Sequence, residues 1–447
     1  MIIRNICNIA GVIIINSIFD HIVWTGHLYI GGGILLMSMI GILYYLHRSG
    51  ASMGTLGGLL VFFFYITMYS TVRLSVSVFK PTLQSIFRMD DVYYTYFTSI
   101  FSFAYGLSQM LGGYLLAKYQ FNVIKWFLGI LIGFLCTFPL LDNVHVALVY
   151  RFFFGILYSV SCIGFSYFVK TNFAPDMVSF LSLFGIFFCF KIAAYTNDVI
   201  IVSGLSMSSL FYFFGLLTIF SLIISLFSFK LPATYNSSFQ SSEKISNTTI
   251  LLLCTYALFS VIIMYILQDG WLNVIQKANL PLLQDGFFTS RLNNICSLSS
   301  LVFPFLLNIT KEVTLMCFAA SLQVMGCILL FYPSISRFFG LDTLTTLYIL
   351  IFGVALGGKS HILPQLYILK RAGQSTGALL GVLNFFSMLL GCFGGQFGFG
   401  LLGQIFFGKG NLFTVHEVLF LLKCFMIGPL LALVASILMQ RREKSTC

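Results

Sequence analysis

Arg73 lies inside the apolar run Gly54 to Phe79, which is long enough to cross a bilayer. An isolated charge in hydrocarbon costs roughly 2.5–3.5 kcal/mol on insertion scales, so it persists only where it faces a protein interior or a wet cavity. Arg73 is therefore a candidate ligand-binding residue before anything else is known. Five more cations fall within apolar runs: Arg151, Lys191, Arg291, Lys359 and Lys423. Acids do not accompany them, since Asp198 and Asp269 lie near the ends of their runs and no carboxylate sits at mid-depth. Such an interior favours anionic or zwitterionic solutes, and it lacks the carboxylate that proton-coupled sugar carriers usually need. The segment Gly357-Gly-Lys-Ser-His361 adds a lysine and a histidine two residues apart, after a diglycine that loosens the helix. Histidine titrates nearest neutrality, which makes His361 a proton-coupling candidate beside Arg151 and Lys191. Each has a plain structural alternative: an interior arginine held by backbone carbonyls, a snorkelling lysine, a neutral hydrogen-bonded histidine.

The elements that position these residues are membrane helices. Hydrophobic residues make up 59% of the chain and charged residues 8%, where a soluble domain carries about 25%. Twelve apolar runs are predicted to span: 54–79, 92–117, 123–141, 146–169, 177–201, 207–229, 249–275, 283–308, 313–333, 342–369, 373–406 and 416–440. Two more, at about 5–20 and 28–46, are read as an extra N-terminal hairpin; the first also has the basic start of a signal-like segment but no A-x-A cleavage site. With fourteen crossings and a cytoplasmic N-terminus, the 24 basic residues divide into 13 inside, five outside and six within spans. That asymmetry predicts both termini in the cytoplasm, and it accounts for the +11 net charge without nucleic acid.

The polar stretch Leu231 to Thr248 divides the twelve core spans six and six, the arrangement of a carrier built from two related halves. Tyr96-Phe-Thr-Ser and Phe287-Phe-Thr-Ser form a faint echo between the halves, repeated by Leu107-Ser108 and Leu298-Ser299 at the same offset. The predicted domains are thus 1–50, a transmembrane hairpin; 51–230, a six-helix bundle; 231–248, a cytoplasmic linker; and 249–447, a second six-helix bundle. Eleven cysteines are scattered without a C-x-x-C pair or metal spacing, so no metal or cofactor is expected. No G-x-x-x-x-G-K-[ST], H-E-x-x-H or G-x-S-x-G motif occurs, and the loops are too short for an ATPase domain, which argues against a primary pump.

Tyr105-Gly-Leu-Ser-Gln-Met-Leu-Gly-Gly-Tyr-Leu-Leu-Ala-Lys118 resembles the Y-G-x-S-x-x-x-x-G-x-x-x-D-R run of major facilitator superfamily carriers. Gly113 and Lys118 fit that conformational-loop motif; the family's acid falls on Ala117 and its second glycine on Gln120. Arg151-Phe-Phe-Phe-Gly155 resembles the family's R-x-x-x-G motif, whose arginine is associated with coupling. Leu363-Pro-Gln-Leu366, Gly377-Ala-Leu-Leu-Gly381 and Asn384, taken with Tyr69 and Arg73, resemble the branch that carries organophosphates and other organic anions. The resemblance covers about residues 54–445 and implies an all-α fold of two six-helix halves.

Carriers in that branch hold phosphate with basic residues at three central positions; here the first is Arg73 and the others fall on Gln109 and Gln268. A dianionic phosphate is best held by paired cations, so one arginine flanked by glutamines fits a single carboxylate, a zwitterion or a neutral polar solute better. The substrate-binding set implied is Arg73, Tyr69, Gln109, Tyr105, Gln268, Tyr265, Asn384 and Lys359.

The expectation is a secondary active carrier of a small polar metabolite, proton-coupled or exchanging, monomeric in the inner membrane of a bacterium, with the lipid bilayer and a small solute as its partners. A transporter-like ligand sensor and a carrier of a larger carboxylate such as a siderophore are the alternatives. A membrane-embedded transferase is disfavoured by only 13 widely spread acids.

Overall fold

The computed structural model describes residues 39–89, 91–173, 203–229, 245–269, 309–331, 360–372, 376–407 and 415–446, with scattered single positions elsewhere. Every regular element among them is helical: α1 Met53–Val78, α2 Lys80–Phe87, α3 Asp91–Tyr119, α4 Asn122–Thr137, α5 Val144–Tyr158, α6 Val160–Asn172, α7 Met207–Ser228, α8 Asn247–Asp269, α9 Glu312–Phe331, α10 Ile362–Arg371, α11 Thr376–Asn384, α12 Gly394–Phe407, α13 Val415–Phe425 and α14 Ile427–Thr446. A π-helical segment, Phe385–Phe393, joins α11 to α12, and one 3₁₀ turn, Phe138–Leu140, follows α4. Among the described residues, seven stretches are long and apolar enough to cross a membrane, the first Met53–Arg73 and the last Lys423–Glu443. The predicted N-terminal spans 5–20 and 28–46 lie largely outside the described residues, although residues 39–48 are helical.

The helices start where the sequence provides caps. Ser52, Ser206 and Ser246 each accept a hydrogen bond from the backbone N–H three residues on, at 3.1, 3.1 and 3.2 Å. Each bond satisfies one of the donors that a helix start leaves open. The run 146–169 is broken in two, because Ser159 donates its N–H to Ile156 in a tight turn between α5 and α6. The run 416–440 is likewise interrupted at Met426, which bonds back to Lys423.

In α7 the bilayer's ordering of side chains is plain. Phe213, Leu216, Phe220, Ile223 and Phe227 recur at helical spacing and are exposed, forming the stripe that lipid would cover. Thr218, Ser221 and Ser225 are buried, and each hydroxyl donates to a carbonyl of the preceding turn, at 2.7, 2.8 and 2.7 Å. A hydroxyl in an apolar interior is thus satisfied by its own helix.

By its packing the chain separates into two compact units. One comprises Met1–Arg88, Lys118–Tyr150 and Val160–Ser237, and within it α7 packs on α1 and α4 while α6 packs on α1. Rings of Phe62, Phe121, Phe168 and Phe229 form its aromatic centre, with centroids 5.1–6.2 Å apart. The Lys125 ammonium donates to the Phe229 carbonyl at 3.3 Å, tying the start of α4 to the end of α7. The other unit comprises Met89–Ala117, Arg151–Ser159 and Ser238–Cys447, with α8 packed against α14, the π-helical segment and α12.

Between α3 and α4 the chain reverses through Gln120, at φ 52°. A non-glycine residue in this left-handed region costs about 1–2 kcal/mol, and Gln120 is where the resembled motif carries its second glycine. Gln120→Gly should therefore raise the melting temperature of the detergent-purified protein, and Gln120→Val should lower it. A fall with glycine would show that the Gln120 side chain contributes more than its backbone strain costs.

Candidate functional site

In the first unit, Arg73 projects from α1, 20 residues after Met53 and five before Val78, and is half-buried. It therefore belongs to the last third of the helix. Side chains of a helix lean toward its N-terminus, which brings the long arginine stem back toward the centre of the span. One turn earlier Tyr69 is 3% exposed, and Tyr65 below it is fully buried. Ser70 is also fully buried, and its hydroxyl has no hydrogen-bond partner.

In the second unit, α3 is the element on which the sequence motifs converge. Arg151 of α5 is 1% exposed and lays its guanidinium over the rings of Phe97 and Phe101, at 5.4 and 4.6 Å. One turn on, a methyl group added at Gly155 would sit 2.5 Å from the Phe101 carbonyl oxygen and 2.8 Å from the Tyr105 nitrogen. The R-x-x-x-G spacing is thereby explained: the glycine lets two backbones touch while the arginine spreads over the rings of the facing helix.

The opposite side of α3 meets α11 and the π-helical segment. Methyl groups added at Gly106 or Gly113 would lie 2.5 Å from the Leu389 nitrogen and the Gly377 carbonyl oxygen. One at Gly381 would lie 2.8 Å from the Gln109 carbonyl oxygen. Gly113 of the loop motif is therefore a packing position, while Lys118, at the exposed end of α3, stands 5.1 Å from the Tyr119 ring.

Gln109 is fully buried on α3, and neither its amide nitrogen nor its amide oxygen has a hydrogen-bond partner. Tyr105, one turn earlier, is 3% exposed and stacks on Phe101 with centroids 6.4 Å apart. Asn384 is buried at the end of α11 and accepts a hydrogen bond from the Gln365 amide of α10 at 2.8 Å. His361 is 4% exposed in the turn that opens α10. Its neighbour Ser360 bonds the Tyr256 hydroxyl at 2.6 Å, and Tyr256 also reaches the Met316 carbonyl at 3.0 Å. Lys191 and Lys359, and the side chains of Tyr265 and Gln268, lie outside the described residues.

Sequence reasoning passed over several polar groups. Gln365 was legible only as part of a motif, and nothing in its spacing pointed to Asn384. Lys170 follows the apolar run 146–169, yet it is buried in the last turn of α6. Glu312, at the start of α9, takes a hydrogen bond from Lys370 and lies 3.6 Å from Arg371, which is itself 3.7 Å from Glu443. These contacts join the start of α9 to the ends of α10 and α14. Burial pushes the Glu312 carboxyl up, but the Lys370 hydrogen bond and the charges of Lys370 and Arg371 outweigh it, leaving the group below its usual range.

A bundle of apolar helices with hydroxyls, amides and arginines turned inward is the architecture of a polytopic membrane carrier. The family model of the Major Facilitator Superfamily matches residues 58–395, well over half of the chain, and the protein belongs to that superfamily. No curated protein sequence matches it. Among solved structures it is similar to the proton:xylose symporter XylE, determined bound to 6-bromo-6-deoxy-D-glucose. That likeness has a TM-score of 0.65 and 10% identity, and covers 87% of this chain and 95% of the other. At such identity it is a likeness of fold. The protein is thus a multi-pass membrane transporter and not an enzyme, with a small molecule as its expected substrate.

The lowered Glu312 group sets a sign for acid stability. Its contribution is complete above the ordinary carboxylate value of about 4.3 and disappears as pH falls through its lower folded value. Glu312→Gln should lower the melting temperature at pH 7 and flatten its further fall below about pH 4.3. An unchanged acid limb in that variant would assign the limb to other groups.

Proposed function

We infer that the protein is a secondary active transporter that moves a small anionic or zwitterionic polar metabolite by rocker-switch alternating access. The observation that carries the reading is the charge content of the spans. Arg73 and Arg151 project from apolar helices, and none of the seven described spanning stretches has a carboxylate before its last residue. An apolar interior that holds cations without carboxylates is electropositive and attracts an anionic group. Arg73 supplies a planar fork that pairs with a carboxylate through two hydrogen bonds, and Tyr69 lies one turn from it. A single arginine fits this better than an organophosphate, for which the resembled branch uses three cations. A proton-coupled or exchange mechanism would place His361, with Lys191 and Arg151, in the coupling machinery.

The two halves would be residues 51–230 and 249–447, joined by the linker 231–248, with both termini on the cytoplasmic face of a bacterial inner membrane. The joined ends of α9, α10 and α14 would belong to that face too. Reporter fusions after Arg48, within 231–248 and at Cys447 should all report cytoplasm. A signal from the opposite side at the linker would overturn this topology.

Transport is tested in proteoliposomes with a panel of labelled carboxylates, amino acids and sugars. Arg73→Gln should abolish uptake while leaving the protein in the membrane, and Arg73→Lys should fail also, since lysine offers only a point charge. Full uptake in Arg73→Gln would remove the arginine from the substrate site. His361→Gln should remove the dependence on a pH gradient yet keep exchange; uptake still driven by the gradient would eliminate His361 as the coupling group.

A further inference from the structure

We propose that Gln109, Gln365 and Asn384 form an amide subsite that holds an uncharged polar group of the transported solute, a hydroxyl or a carboxamide. The proposal rests on the carrier reading above and adds to it a neutral polar contact with the solute. It starts from Gln109, which is fully buried near the middle of the span Tyr96–Tyr119 with neither amide atom bonded. Leaving a buried polar group unsatisfied costs about 1–3 kcal/mol. Gln323, also buried, keeps one bond, its nitrogen donating to the Ser260 carbonyl at 2.7 Å, although its oxygen has no partner. Gln109 has no such bond, so its function lies in a contact made when solute is present.

The glycine seam brings α11, which carries a second amide, against the backbone of α3. Gly381 lies against the backbone of Gln109 and Gly113, and Asn384 follows it by three residues, one turn on and on the same face of α11. Asn384 and Gln365 are buried at 3% and 7% exposure and share one bond, from the Gln365 nitrogen to the Asn384 oxygen. An amide nitrogen carries two donors and an amide oxygen two acceptor positions, so this bond leaves Asn384 a donor and Gln365 an acceptor. The three amides together present donors and acceptors without charge. A hydroxyl or a carboxamide, which both donates and accepts, can satisfy such a set. A carboxylate or phosphate, which only accepts, would leave the amide oxygens unsatisfied.

The test uses thermal stabilisation of the purified protein by five probes. Gluconate is compared with hexanoate, and L-glutamine with L-norvaline; each pair keeps its charged groups and differs in neutral polar ones. D-xylose is the uncharged control. The polar member of at least one pair should bind tenfold or more tightly than its partner. Gln109→Leu should abolish that preference without lowering the melting temperature of the free protein, since it removes an unsatisfied amide. Asn384→Ala, which breaks the Gln365 bond, should weaken the preference also. Tight binding of D-xylose alone, lost in Gln109→Leu, would keep the amide subsite and overturn the anion reading. Equal binding within both pairs, binding by none of the five probes, or a preference unchanged in both variants would overturn the subsite. A melting temperature several degrees lower in Gln109→Leu would do so too, by making the glutamine structural.

Discussion

In hydrocarbon a hydroxyl, amide or guanidinium finds no solvent to bond, so each must be turned toward the protein and satisfied there. That constraint orders α7, where phenylalanines and leucines are exposed and every buried hydroxyl bonds back to its own helix. It also makes exceptions informative. Polar side chains buried without a partner, such as Gln109 and Ser70, depart from that rule. The Arg151 guanidinium answers the rule differently, spread over two phenylalanine rings.

Helix α3 gathers these exceptions. On one side Gly155 and Arg151 bring α5 against Phe97, Phe101 and Tyr105; on the other Gly106 and Gly113 admit α11 and the π-helical segment to within backbone contact. Glycine at these positions works by removing side-chain volume, as small residues do where membrane helices pack closely. The π-helical segment, next to the seam, shifts the register of side chains before α12 resumes. The same seam sets Asn384 one turn from the point where Gly381 touches α3.

Much of the fold was legible in the sequence because lipid imposes one simple pattern, a run of about twenty apolar residues. The runs 54–79, 92–117, 123–141 and 207–229 match α1, α3, α4 with its 3₁₀ turn, and α7 to within about two residues. Breaks inside a run were not legible: hydropathy is blind to the turn at Ser159 and to the π-helical segment, which cost no apolar residue. Of the site, Gln109 and Asn384 could be named from the family motif alone. Their burial, the missing partners of Gln109 and the Gln365 bond depend on which helices meet. Arg73 shows the opposite limit, since its apolar run announces the charge yet says little about depth. Glu312 and Lys370 are 58 residues apart, and nothing local to either marked the other.

Alternating access is the central claim, and thiol labelling of a cysteine placed at position 73 tests it most directly. In a chain otherwise freed of cysteine, Arg73→Cys would be treated with a membrane-impermeant thiol reagent applied to one face of the membrane or to the other. The account expects labelling from both faces, because a carrier opens the same cavity to each side in turn. A fixed receptor would open it to one side alone. Labelling from one face only, or none from either, would contradict the account.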